Sequence, residues 1–430
     1  MNLSPSFLFF LLSTTLNTIA LHCLRFGVSW LVMRETGSPI AFSVIFSASS
    51  LVEVYGKPIM APMADYFDRL KVYRVCVALA TVCVATLVLG IATLPFSILL
   101  LTVLLMLLSL IAALRDPASA GLVPALVSAE QLLQAQSLRS TVSSVVGLSA
   151  PMMSALLLAV GGTSAALAAA GTACAIGLVC TFGIRAVRTD AVTVPRPWDD
   201  YFKTWHLRIV DGVRAVVMTR SERTTAIVVV LTNAGLFPFF SVALPLWVGR
   251  SMGATANTMA AIEVAFGAGI FLGSTVTIRR LNERLGRFYA LVVGNGLLGL
   301  ALVIASTGSR IPILCACFVI GGIGFAVFNI NVSTLRAAAT PPAFRSRMTA
   351  GVAFLSSCLN PFATQTMGFV VAHSGATTGV AISGALILIS TALLLRNADA
   401  KSLLKRSDEE LAGAYGKLYP AAFIERQPTV

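Results

Sequence analysis

The chain has 430 residues, of which 57% are hydrophobic and only 11% charged, with a formal net charge of +13. That is more apolar surface than a soluble domain can bury in its own core, so the composition excludes a soluble enzyme or nucleic-acid-binding domain and points to a polytopic membrane protein. The basic excess therefore has to be read from where the charges stand along the chain.

Stretches of the roughly 20 apolar residues needed to cross a bilayer recur twelve times. They lie at 6–33, 39–63, 72–93, 96–114, 139–160 and 163–184, then at 224–248, 256–278, 287–307, 311–333, 348–371 and 374–395. Residues 1–24 carry no Lys or Arg and no small-residue cleavage site after a short apolar core, so the first stretch reads as a span rather than a signal peptide. Span one carries Asn17, His22 and Arg25. His22 and Arg25 are three residues apart and share a helical face, about 13–18 Å below the outer end counted back from Arg34. Both are candidates to pair with an acidic neighbour or to contact an anionic substrate; for His22 the other reading is simple packing.

Span two carries Glu53 and Lys57. Glu53 stands twelve residues before Asp65, about 18 Å up the helix and close to midplane. An ionisable group at that depth is costly and marks an ion or substrate pathway, so Glu53 is the first candidate for proton coupling. The alternative is a structural Arg25–Glu53 pair. Lys57 lies one turn further and just before Pro58, positioned to snorkel to the inner rim or to pair with Glu53.

The stretch "MADYFDRLKVYR" (63–74) packs Asp65, Asp68, Arg69, Lys71 and Arg74 between spans two and three. Cations alone would set topology; the carboxylates suggest an ion-pair and helix-cap cluster at the cytoplasmic rim, with Asp65, Asp68 and Arg69 as a gate. Residues 115–147 read as the connection between spans four and five.

The longest polar interruption, 185–223, holds eight Lys or Arg and divides the chain six plus six. Its "WDDYFKTWHLRIVDGVRAVVMTRSER" spacing suggests an amphipathic helix along the inner face, or a tether between the halves. Span seven carries Asn233 and an aromatic run, Phe237, Phe239 and Phe240; span eight carries Glu263, about 10 Å below its outer end, a second proton candidate or half of an outer gate. Glycine clusters at 267–273 and 321–325 predict close helix packing. Beyond Arg396 the tail is polar, with "SDEEL" (407–411) resembling a helix start, and is expected to be a short surface helix followed by disorder. The expected organisation is thus a six-helix bundle at 1–184, a cytoplasmic linker at 185–223, a second bundle at 224–395 and a cytoplasmic tail at 396–430.

With both termini cytoplasmic, the inner loops and tail hold 26 of the 31 Lys and Arg residues, which is the asymmetry of the positive-inside rule. "RLKVYR" (69–74) and "RLGRFY" (284–289) repeat at an offset of 215 residues, and Asn17 and Asn233 correspond within one residue at that offset. Such repeats build the two bundles of secondary transporters. All eight cysteines lie in apolar stretches without metal-ligand spacing, and the chain carries no phosphate-binding Gly-rich loop and no nucleophile elbow. An enzyme, ATP-driven transport, a metal and a cofactor are not expected; the expected partners are a small-molecule substrate, protons and lipid, with no nucleic acid, and the chain is expected to be a monomer.

"APMADYFDRLKVYR" (61–74) resembles the inner-loop signature of the major facilitator superfamily, with Ala61 in place of a glycine and Tyr66 and Phe67 inserted before Asp68-Arg69. "TGSPIAFSVIFSASS" (36–50), "RDPASAGLVPALVSAEQLLQAQSLRSTVSSVVG" (115–147) and "AATPPAFRSRM" (338–348) resemble the exporter branch that includes macrolide efflux pumps and enterobactin exporters. The antiporter signature of span five is reduced here to "GLSAPMMSALL" (147–157). The resemblance implies an all-α fold of twelve transmembrane helices in two bundles, in the bacterial inner membrane. It also implies gating by Asp65 and Arg69 and proton-coupled export of a siderophore, drug or similar amphipathic molecule. Import of a ferric siderophore or another organic anion, with Arg25 as its contact, is the alternative, and a scaffold or receptor without transport is a third.

Overall fold

The computed structural model describes residues 4–128, 131–185, 210–308, 310–341, 344–406 and 408–424. It is all-α, and ten helices among the described residues are long and apolar enough to cross a membrane. Large apolar side chains such as Leu99, Val160 and Phe182 are 74%, 82% and 72% exposed, a surface that only lipid would cover without cost.

The chain divides into two compact units, Met1–Pro197 with Val248–Ala260, and Trp198–Trp247 with Ala261–Val430. The first contains α1 (Pro5–Thr36), α2 (Pro39–Tyr66), α3 (Arg69–Thr93), α4 (Ile98–Leu126) and α5 (Leu132–Phe182). The starts of α1 and α3 are chemically marked. Ser4 caps α1 by accepting from the Phe7 amide, with Pro5 in the first turn, and the Asp68 carboxylate accepts from the Leu70 and Lys71 amides at 2.9 Å to begin α3.

The 51 residues of α5 do not form one rod. Gly162 has φ +67° and ψ −166°, a conformation for glycine alone, and the chain reverses there. The contacts of α1 prove it: Cys23 meets Ser154 while Asn17 crowds Gly177 and Gly27 meets Leu167. Residues 154 and 177 would be about 35 Å apart on a straight helix, yet they touch points on α1 only six residues apart. Arg74 then caps the end of the returning arm, donating to the Thr181 and Ile184 carbonyls at 3.2 and 2.6 Å.

Helical residues 210–218 (α6), α7 (Arg220–Pro238), α9 (Arg287–Ser306), α10 (Ile311–Ala339), α11 (Arg345–Cys358), α12 (Asn360–Ser374) and α13 (Ala376–Leu395) belong to the second unit, as does α8 (Ala256–Leu272) from Ala261 onward. Wider π-type turns extend α7 through Phe239–Ala243 and Trp247–Ser251, and α8 through Gly273–Thr277. The expected close packing at the glycine clusters is present: a Cβ on Gly322 of α10 would run into the Phe266 carbonyl of α8. The expected span 348–371 is two helices, α11 and α12, parted at Leu359. Pro361 supplies no N–H for the helical ladder and disfavours helical geometry before it. Of the expected amphipathic helix at 198–223, residues 198–209 lie outside the described residues and 210–218 are helical.

The tail differs from expectation. Short helices α14 (Ala398–Leu403), α15 (Asp408–Leu411) and α16 (Ala414–Leu418) fold back onto the unit, and Leu403, Leu411 and Tyr415 join a buried cluster with Phe288, Leu291, Leu335 and Met348. Leu403, Leu404, Leu411, Ala414 and Tyr415 of the tail are buried, and the Gly413 amide donates to the Ala338 carbonyl at 3.0 Å.

Candidate functional site

The candidate site of the first unit lies where α1, α2 and α4 bring ionisable side chains together inside their apolar stretches. Arg25 of α1 donates through Nη2 to Glu53 Oε2 at 3.1 Å. Lys57, one turn beyond Glu53 on α2, holds Oε1 of the same carboxylate at 3.0 Å and reaches Asp116 Oδ2 of α4 at 3.6 Å. Arg115 completes the chain, 3.2 Å from Asp116 Oδ1. Glu53 is thus bridged by two cations, and Lys57 by two carboxylates, across three helices. Of these side chains Arg25, Lys57 and Asp116 stay 49%, 42% and 46% exposed, so the chain faces an accessible space rather than a sealed core.

Of the residues singled out from the sequence, Glu53 and Arg25 meet as an ion pair, and His22 lies close enough to Arg25 for the two to interact electrostatically. Asn17 is 3% exposed, donates to the Ser13 carbonyl at 2.9 Å and borders a cavity of about 180 Å³ with Arg115, Asp116 and Arg139. Its repeat counterpart Asn233 joins α7 to α11 by donating to the Ser356 carbonyl at 3.0 Å. Glu263 sits on α8 and makes no hydrogen bond or ion pair among the described residues. Phe239 is fully buried and stacks on Phe318 at 5.6 Å, so it packs helices together rather than lining a cavity.

Of the three gate residues, Asp68 and Arg69 have side chains among the described residues. Asp68 is spent on the start of α3, as above. Arg69 lies along α4, with Nη1 donating to the Gly121 carbonyl at 3.1 Å, and a Cβ on Gly121 would collide with its guanidinium. The Asp65 side chain lies outside the described residues.

Arg115 and Asp116 fall by sequence in the connection after span four, but α4 continues to Leu126 and both stand on it; Arg139 stands on α5, within the expected span 139–160. A signal was available. Ala118, Leu122, Val123 and Leu126 are buried at helical spacing beyond the Arg-Asp-Pro that had suggested an end. Pro117 withdraws only the N–H that would reach the Ala113 carbonyl, a loss that packed membrane helices tolerate.

A second buried ionic group lies in the second unit. Glu222 of α7, whose side chain is 1% exposed, accepts from Arg336 Nε of α10 at 2.6 Å and from the Tyr415 hydroxyl of the tail at 3.0 Å. Burial and the Glu222 charge hold the Tyr415 phenol well above its ordinary value, so it remains a donor through neutral and mildly alkaline pH.

Comparison with known proteins gives a consistent family. The chain matches the family described as Major Facilitator Superfamily over residues 9–276 and again over 224–427. In structure it is similar to a bacterial homolog of the human lysosomal transporter Spinster, with TM-score 0.71 and 13% identity over 93% of this chain and 98% of that one. It is similar to the POT family transporter PepTSo at TM-score 0.71 and 12% identity, over 93% and 98% of the two chains. It is also similar to the human organic anion transporter MFSD10, at TM-score 0.62 and 16% identity over 91% and 100%. No curated protein sequence matches the chain.

Proposed function

Because the chain belongs to the Major Facilitator Superfamily and is therefore a multi-pass secondary transporter, we propose that it is a proton-coupled exporter. It would move a siderophore or similar amphipathic metabolite or drug outward across the bacterial inner membrane. In this reading it works by alternating access, as a monomer, with twelve spans, both termini cytoplasmic and the Asp65–Arg69 region gating the inner side.

The observation that carries the coupling is the chain Arg25–Glu53–Lys57–Asp116. A carboxylate bridging two cations takes up a proton only as those cations withdraw, and a helix movement that separates α1 from α2 withdraws Arg25. Protonation of Glu53 and separation of the helices then favour one another, which is the linkage a coupled transporter needs. Glu263 is the second proton site in this reading. Export rather than import rests on the stretches at 36–50, 115–147 and 338–348 that resemble the exporter branch.

Uptake into sealed inside-out vesicles tests it: Glu53→Gln abolishes the response of flux to a pH gradient. A variant as fully pH-driven as the wild type removes Glu53 from the mechanism. Import of a ferric siderophore or another organic anion is the second reading, favoured by the half-exposed Arg25. A deletion strain grown with scarce iron separates the two by mass spectrometry. A siderophore that falls outside and rises inside supports export, and one that accumulates outside iron-starved cells supports import. Absence of gradient-dependent flux would instead fit a scaffold.

A further inference from the structure

The cavity in the first unit is lined by donors. Around its 180 Å³ stand Thr14 and Asn17 of α1, Arg115, Asp116 and Ser119 of α4, and Arg139 of α5. Among the described residues Arg139 directs Nη2 to the Ser119 hydroxyl at 3.3 Å and lies 5.8 Å over the Phe10 ring. A guanidinium carries five N–H donors, so this leaves most of its hydrogen-bonding capacity directed elsewhere. Among the described residues the one acidic residue on the cavity wall, Asp116, is already engaged by Arg115 at 3.2 Å and Lys57 at 3.6 Å. Among the described residues of the ionic group, Arg25, Lys57, Arg115 and Arg139 face Glu53 and Asp116.

Two positive charges in excess, inside apolar helices and around a space that can hold a ligand, leave a counter-charge to be supplied from outside the chain. We infer that this cavity binds the anionic group of the transported solute, a small organic carboxylate held by the guanidinium groups of Arg139 and Arg115. The volume, that of about six liquid waters, admits a carboxylate on a small ring, and Leu11, Val142 and Val146 form an apolar wall for such a body. A bidentate guanidinium–carboxylate pair also explains an arginine at this place better than a lysine. The inference rests on the transport reading for its biological meaning, but the site itself is tested by binding alone.

The test is isothermal titration of the full chain in nanodiscs of zwitterionic lipid with benzoate, its neutral isostere benzamide, and inorganic phosphate. Benzoate should bind, benzamide should not, and Arg139→Gln should weaken benzoate binding about tenfold or more while Arg139→Lys weakens it less. Binding of phosphate in preference to benzoate would overturn the carboxylate assignment in favour of a phosphate group such as that of a lipid. Equal binding of benzamide, or unchanged affinity in a monodisperse Arg139→Gln protein, would overturn the anion site. Flux in vesicles keeps the two readings apart. Gradient-driven transport with no benzoate binding refutes this site alone, and benzoate binding without gradient-driven transport of any solute refutes the coupled-transport reading alone.

Discussion

Replacing Glu222 by glutamine should be among the most destabilising single changes in the second unit. Glu222 is fully buried, Arg336 is 15% exposed, and Arg336 Nη2 has no hydrogen-bond partner among the described residues, so Glu222 alone compensates that cation. Glutamine preserves the volume and still accepts one hydrogen bond, but leaves the guanidinium uncompensated; removing one partner of a buried pair costs about 3–5 kcal/mol. Tyr415→Phe removes only the 3.0 Å hydrogen bond to the carboxylate, about 1.5–3 kcal/mol for a bond to a charged group. Both are measured by reversible unfolding of the purified protein in mixed micelles titrated with dodecyl sulfate. Because the two side chains share one carboxylate, the double variant should be less unstable than the sum of the singles, by about 0.5–3 kcal/mol. Glu222→Gln combined with Arg336→Met removes both charges and should recover most of the loss. A single Glu222→Gln variant within about 0.5 kcal/mol of wild type, the range of an ordinary surface change, would refute this account of the buried group.

The phenol of Tyr415, raised by burial and by Glu222, is the neutral donor in the fold. Its contribution should be complete below the unfolded tyrosine value of about 10 and decline above it. Limited proteolysis at Lys417 should therefore find the tail protected at pH 8 and cleaved progressively above about pH 10. Gly162→Ala places a side chain at a φ that L residues rarely adopt and should cost about 1–3 kcal/mol, seen as lower thermal stability of the detergent-solubilised protein. Arg74→Gln weakens the cap on the end of α5, where two carbonyls lose their cationic donor. The expected loss is about 0.5–2 kcal/mol, with proton-driven flux per folded molecule unchanged.

What the sequence by itself determined is the part of this protein that depends on composition and on local chemistry. Apolar stretches of bilayer length required helices. Asp68 suggested a helix cap that the structure reproduces, and Glu53 and Arg25 stood out because an ionisable residue in an apolar run has no local reason to be there. What only the tertiary structure decided involves partners distant in sequence. Lys57 belongs to the site because Asp116 lies 3.6 Å away on another helix, and Asp116 was hidden by a proline that in water would end a helix but inside packed helices does not. Arg69 reaches a carbonyl on α4, 52 residues further along the chain. The tail is held by Tyr415 reaching a carboxylate 193 residues earlier, and nothing in a polar C-terminal stretch signals such a pairing. Hydropathy is read one residue at a time and survives without a fold; an ion pair is a property of two side chains, and the chain states it only after the helices have chosen their neighbours.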